Sequence, residues 1–423
     1  MNKLIRFPSG LRLAVHSMPY TRSVAVGVYV GAGSAYESED QNGISHFIEH
    51  MMFKGTEHRS AFDIAEEMES LGVQINAFTS RYITAYYTVS TDEHVEACFD
   101  VLSDLLFAST FTDDNIEREK GVVLEEINMC EDDPEDCCYD LLNLAHFGDH
   151  PLGRNILGTA ERVRSFDRDA IRAYLAEHYT ADNIVIVVAG HVTLAAVRSL
   201  AERYFEPRVA PKPREVQPLS IPAPCCRLIS RYKQIEQCNV AFSFPCSSLE
   251  ESEARGDYSL SLLNNILGGG MSSRLFQKVR EEMGLVYEIY STFSEYRGTG
   301  FFTIYFATNP ARAVDAVRAV RSVLVELIEN GLSEKEYHKG KEQLKAGLVL
   351  GAESASGIMR ALGRTVIYYD KTFDLDDRLD RVEHTTREAV NDAIRTIFRF
   401  EQASASFVGK DPGVNILDLL KGE

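Results

Sequence analysis

The chain has 423 residues, 45% hydrophobic and 25% charged, enough for two or three packed cores of ordinary globular composition. Its 44 Lys and Arg against 63 Asp and Glu leave a formal net charge of −19, which argues against a phosphate-binding surface and so against a nucleic-acid partner. The most apolar early stretch, Val24 to Ala35, is short and broken by Gly27, Gly31 and Gly33, so it reads as a strand and no membrane partner is expected. The opening MNKLIRFPSG lacks the apolar core of a secretory signal. The eight cysteines include no C-x-x-C, so free thiols in a cytoplasmic protein are the expectation.

Along the chain, LIRFPSG-LRLAVHS and VAVGVYVGAGSA read as a strand pair. An apolar helix follows over Gly43 to Met52, then a strand with alternating aromatics, ITAYYTVST. Next come an amphipathic helix over Val95 to Phe107 and a second, acid-capped one in FTDDNIEREKGVVLEEI. The strand NIVIVVAGHV closes the half. The Pro-rich stretch Glu206 to Pro224 interrupts this pattern as a linker does. The same order then returns in CRLISRYKQ and CNVAFSFPC, Tyr258 to Leu267, GFFTIYFAT, Ala313 to Glu329, LSEKEYHKGKEQLKAGLV and ASASFVGKD. The pattern predicts an α+β fold of two tandem homologous domains, each a mixed, mostly antiparallel sheet packed with helices. The expected boundaries are 1–210 and 223–423, joined by a linker at 211–222.

The informative motif is His46-Phe47-Ile48-Glu49-His50. Residues four apart share a helix face, so His46 and His50 can offer two imidazoles to one ion. Glu49 projects beside the same ion, close enough to take a proton from a water there. This is the order of the inverted zinc motif, H-x-x-E-H. Ile44, Phe47, Ile48, Met51, Met52 and Phe53 bracket the pair, so it does not read as a solvated face. Burying such polar groups unpaired costs several kcal/mol, roughly 2–7, which a metal would remove. A catalytic zinc site takes a third protein ligand. The helix from about Asp113 to Cys130 offers Glu117, Glu119, Glu125 and Glu126, and chemistry alone does not choose between the last two.

GISHFIEHMMFKGT followed by EREKGVVLEEI resembles the pitrilysin/insulysin family of zinc metallopeptidases, in particular a bacterial branch similar to the mitochondrial processing peptidase. The resemblance covers essentially the whole chain. In that family the third ligand lies some 75 residues beyond the second histidine, which implies Glu126, since residues 51–125 intervene. A family glutamate seven residues earlier maps to Glu119 and implies support of a histidine ligand by hydrogen bonding. The resemblance thus implies one Zn2+ per subunit, with Glu49 as general base.

The second half has no H-x-x-E-H. Its MSSRLFQKVREEMGLVYEIYS predicts a helix over Ser272 to Met283 and a strand over Leu285 to Phe293. By resemblance, Arg280 and Tyr287 bind substrate and stabilise the transition state. Long-chain family members carry four such units, so a two-unit chain implies a homodimer in which these residues complete the partner subunit's zinc site. LGVQINAFTS resembles the family's edge strand. Asn76 and Ala77 would there lie beside a peptide or unfolded polypeptide added as an extra strand. The expected function is a zinc endopeptidase working inside a dimeric chamber. The alternative is a non-catalytic chamber or assembly subunit of the same fold.

Overall fold

The computed structural model describes residues 2–210 and 220–423; positions 211–219 of the expected linker lie outside the described residues. Six strands form the first sheet: β1 (Asn2–Arg6), β2 (Arg12–Ser17), β3 (Ser23–Val30), β4 (Gln74–Thr79), β5 (Thr84–Thr91) and β6 (Ile184–Gly190). Their order is β1-β2-β6-β3-β5-β4, and only β2 and β6 run parallel. The second sheet holds β7 (Leu228–Tyr232), β8 (Cys238–Pro245), β9 (Glu288–Tyr296), β10 (Thr299–Thr308) and β11 (Ser404–Gly409). Its order is β7-β11-β8-β10-β9, with only β7 and β11 parallel. With β1 set aside, the two sheets have one topology. The fold is α+β, two mixed and mostly antiparallel sheets packed with helices.

Burial explains the strand sequences. β6, IVIVVAG, is buried at every position, as a central strand covered on both faces must be. β4 stands at the sheet edge and is exposed or half-buried throughout. One face of the first sheet packs the main core, with Val24, Val26, Val28 and Val30 of β3 against Phe47, Ile48, Phe99 and Leu102.

The compact units do not follow the sequence halves. One comprises Met1–Ile127, Asn155–Pro218 and Val349–Leu375; the other comprises Asn128–Arg154, Leu219–Leu348 and Asp376–Glu423. Helix Ala355–Tyr369, from the second half, packs on β2, β3 and β6. Helix Pro134–Phe147, from the first half, packs on β7, β8 and β11. In each case a capped break ends the preceding long helix. The Asp133 side chain accepts from the Glu135 and Asp136 N–H groups ahead of Pro134, and Ser354 accepts from Gly357. Close fit holds each helix in place. A Cβ on Gly363 would stand 2.5 Å from the Tyr29 ring, and Ser406 donates to the Cys138 carbonyl at 2.7 Å.

Two local expectations are corrected. The helix expected over Ser272 to Met283 begins only at Arg274, after a turn, and continues over Phe276–Glu282 as a π-helix. The strand expected from Leu285 begins at Glu288, so Tyr287 precedes it. Gly284, at φ +58°, makes the turn that occupies the intervening residues.

Candidate metal centre

Helix Ile44–Met51 begins at a place only glycine fits. Gly43 has φ +96°, and a Cβ there would lie 2.5 Å from the Leu157 carbonyl. The carboxylate of Glu37, 2% exposed, accepts the Gly43 N–H at 2.8 Å and the Ser45 N–H at 2.9 Å. A negative group at a helix N-terminus satisfies orphan donors and complements the dipole. Burial raises the carboxyl pKa of Glu37, and these hydrogen bonds oppose the rise. Sequence reasoning missed Glu37, because it lies outside the motif and its partners are backbone groups.

Phe47, Ile48 and Met51 turn into the core, which leaves His46, Glu49 and His50 on the remaining face. The second long helix, Asp113–Asp132, is anchored by buried Ile116, Val123 and Ile127, and so presents Glu119 and Glu126 to the histidines. Glu125 is exposed. One donor atom each from His46, His50 and Glu126 lies within 4.8 Å of the others, the one such cluster among the described residues.

The details fit a cation. Glu126 Oε2 lies 3.6 Å from His46 Nε2 and 3.4 Å from His50 Nε2. That oxygen is buried and has no hydrogen-bond partner. Donors bound tetrahedrally to zinc at about 2.1 Å stand about 3.4 Å apart. An oxygen facing two imidazole nitrogens at that spacing is matched to a shared ion better than to a hydrogen bond. His46, His50 and Glu126 therefore fit zinc by donor type, spacing and the unpartnered oxygen.

The supporting contacts set the protonation states. His50 Nδ1 meets Glu119 Oε1 at 2.8 Å, which leaves Nε2 toward Glu126. Glu119, 3% exposed, is paired through its other oxygen with Lys54 Nζ at 2.8 Å. Burial alone would raise the carboxyl pKa of Glu119, but His50 and Lys54 outweigh it and lower it. Burial likewise works against charge on His50, yet the carboxylates of Glu119 and Glu126 lift its pKa to about 9. His46 goes the other way: burial, with His50 beside it, pushes its pKa down and keeps the ring neutral. Glu49 has its carboxyl raised by burial, while the Thr79 hydroxyl donates to Glu49 Oε2 at 2.5 Å and opposes the rise. Lys54 and Thr79 are further contributors that the motif did not reveal. Only the fold brings the end of β4 to Glu49.

The remaining expected residues lie elsewhere. Asn76 and Ala77 sit on edge strand β4, and the Ala77 N–H donates to Asn76 Oδ1 at 2.7 Å. Arg280 and Tyr287 belong to the second unit. The Arg280 guanidinium lies over the Phe276 ring at 4.6 Å and the Tyr287 ring at 5.6 Å, and Tyr287 is 70% exposed.

The profile of insulinase, peptidase family M16, matches residues 12–160, and that of the M16 inactive domain matches residues 165–344. An uncharacterized zinc protease of Bacillus subtilis is 40% identical over 397 residues, covering 94% of this chain and 96% of its own. The chain belongs to the M16 peptidase family. Another uncharacterized zinc protease, from Streptomyces coelicolor, is 34% identical, with 98% of this chain and 89% of its own length covered. The fold is shared with the crystal structure titled as an M16 inactive domain from Pseudomonas fluorescens (TM-score 0.89, 21% identity, 97% and 98% covered). It is shared too with a protease from Helicobacter pylori (TM-score 0.88, 19% identity, 97% and 99% covered). Zinc is the metal named for the Bacillus and Streptomyces relatives. No helix among the described residues is long and apolar enough to cross a membrane.

Proposed function

We propose that this chain is a zinc-dependent endopeptidase that cleaves peptides or unfolded segments. The observation that carries the reading is the buried, unpartnered Glu126 Oε2 facing the Nε2 atoms of His46 and His50, with Glu49 fixed beside them by Thr79. His46, His50 and Glu126 would hold one Zn2+ per subunit, with Glu119 orienting His50. When bound, zinc acidifies a water and polarises a carbonyl. Glu49 takes the proton from the attacking water and delivers it to the leaving amine. Its burial-raised pKa suits a group that must both accept and release a proton.

Substrate would add to β4 as a further strand, with Asn76 and Ala77 nearest the cleaved bond. The free edge supports this, as does the Ala77 N–H, which now meets only a neighbouring side chain that can turn away. Arg280 and Tyr287 would complete the partner subunit's site in a homodimeric chamber. Their mutual stacking and the exposure of Tyr287 suit a preformed contact pair. Eight cysteines, none of them in a disulfide, fit a reducing, cytoplasmic setting.

A non-catalytic chamber subunit has no use for Glu49, whose placement by Thr79 speaks for catalysis. The test is cleavage of a quenched peptide library after chelation and zinc add-back, with Glu49→Gln as control. Activity that survives in the control would remove the peptidase reading. Dimer completion is tested separately: His46→Ala and Arg280→Ala chains, each inactive, should recover partial activity when mixed. No recovery after confirmed subunit exchange rules out the shared site.

A further inference from the structure

We infer that Arg360 selects for an acidic side chain in the bound peptide, at a position facing away from the metal cluster. The inference rests on the peptidase reading and on β4 as the docking edge.

Side chains alternate along β4. Thr79 reaches Glu49, and Ala77 pairs with Tyr86 of the main core, so Ile75, Ala77 and Thr79 take the metal side. Gln74, Asn76 and Phe78 take the opposite side, the sheet face on which helix Ala355–Tyr369 packs against β2, β3 and β6. There the Phe78 ring meets Tyr29 edge-on at 6.2 Å and Tyr87 at 6.4 Å. Arg360 closes this aromatic layer toward the open edge. Its guanidinium lies 4.9 Å from the Tyr87 ring and 5.8 Å from the Phe78 ring, and donates to the Tyr87 hydroxyl at 2.8 Å. Arg364 stands one turn further along, and both arginines are exposed. Among the described residues neither has a carboxylate partner.

A strand paired with β4 would place every second side chain on this face. Directly opposed residues have Cβ atoms about 4.5–5.5 Å apart. The peptide residue opposite Phe78 or Asn76 therefore falls within reach of the Arg360 guanidinium. Stacking fixes the plane of that group and leaves N–H donors free to take a carboxylate. The chain as a whole carries −19, which by itself repels acidic peptides. An unpaired guanidinium beside the docking edge thus acts as a local exception, reading one position in the peptide.

The test walks a single Glu or Gln through a fluorescent peptide around the cleaved bond. Binding is read on zinc-loaded Glu49→Gln protein and cleavage on the otherwise unaltered chain. At one position, or at alternate positions, Glu should bind about fivefold more tightly than Gln. Arg360→Gln should abolish the difference, and Arg360→Lys should retain part of it. Thermal unfolding shows whether Arg360→Gln is folded. If it is not, Arg360→Lys decides: a reduced Glu preference supports the inference and an unchanged one overturns it. Cleavage with no Glu preference, or a preference indifferent to Arg360, overturns the inference and leaves the peptidase reading standing. A protein that neither binds nor cleaves any peptide takes both down.

Discussion

The two units share a strand order but not a chemistry, and the substitutions can be read position by position. Buried Phe47, Ile48, Met51 and Met52 of the first unit superimpose in sequence on buried Leu262, Leu263, Ile266 and Leu267 of the second. That register sets Ser261, Asn264 and Asn265 against His46, Glu49 and His50. Counting from the capping residues Thr112 and Ser333, Gly340 and Gly347 stand where Glu119 and Glu126 do. The contact from the edge strand survives in neutral form. Thr79 donates to Glu49 in one unit, and Ser291 donates to Asn264 Oδ1 at 2.8 Å in the other. The packing positions are kept because the sheet requires them. The polar face is free to vary, so fold and site are separable.

The largest expected effect is on Glu49. Glu49→Gln should lower peptide cleavage by about 10²–10⁴-fold while the zinc content of the protein stays unchanged. Metal analysis beside the kinetics checks both halves of that statement. Glu126→Gln should lose the ion itself, seen as zinc content well below one per chain. Glu119→Gln should leave the ligands in place but weaken zinc by about 10–100-fold, measured by competition with a chelator of known affinity. A reverse graft sharpens the comparison further. Ser261→His, Asn265→His and Gly347→Glu together should raise zinc above one per chain, although weakly held, because Gly340 supplies no supporting carboxylate. No added zinc in a folded graft would show that register alone does not make the units equivalent.

The smallest effect concerns the helix starts. In the second unit Glu336 pairs with Arg274 at 2.6 Å and accepts from Ser333. Burial alone would raise its carboxyl pKa, but these bonds hold it at about 2. A carboxylate depressed in the folded state adds stability above its unfolded pKa, near 4.5, and loses it as pH falls toward 2. Asn115 holds the matching place in the first unit, donating to the Lys54 carbonyl at 2.8 Å, and does not titrate. Glu336→Gln should therefore destabilise the chain at pH 7 and flatten its acid transition between pH 4.5 and 2, followed by thermal melts across that range.

Much of the architecture was legible because periodicity reports burial. Helices Val95–Ala108, Asp113–Asp132, Ala313–Asn330 and Glu334–Gly351 fell where 3.6-residue spacing exposed one apolar face, whereas helices Pro134–Phe147 and Ala355–Tyr369 were not anticipated. The histidines were legible because the two proposed ligands and the proposed base lie within five residues on one helix. Glu126 was not legible from chemistry alone: Glu125 beside it is an equal candidate until the family's 75-residue spacing singles out Glu126, the residue whose carboxylate the helix turns toward the histidines. Glu37, Lys54, Thr79 and Arg360 left no signal at all, because each acts through a partner far away in the chain or through the backbone.

The sequence alone determined the repeated α+β pattern, the H-x-x-E-H helix and the family resemblance, since each is written in local spacing. Tertiary structure decided how Glu126 is turned toward the imidazoles and which arginine borders the free strand. It also decided that helices Pro134–Phe147 and Ala355–Tyr369 each cover the sheet of the other sequence half. Local periodicity tells a helix that it must bury a face. It does not say against which sheet, because that depends on closure over distances to which no local pattern is sensitive.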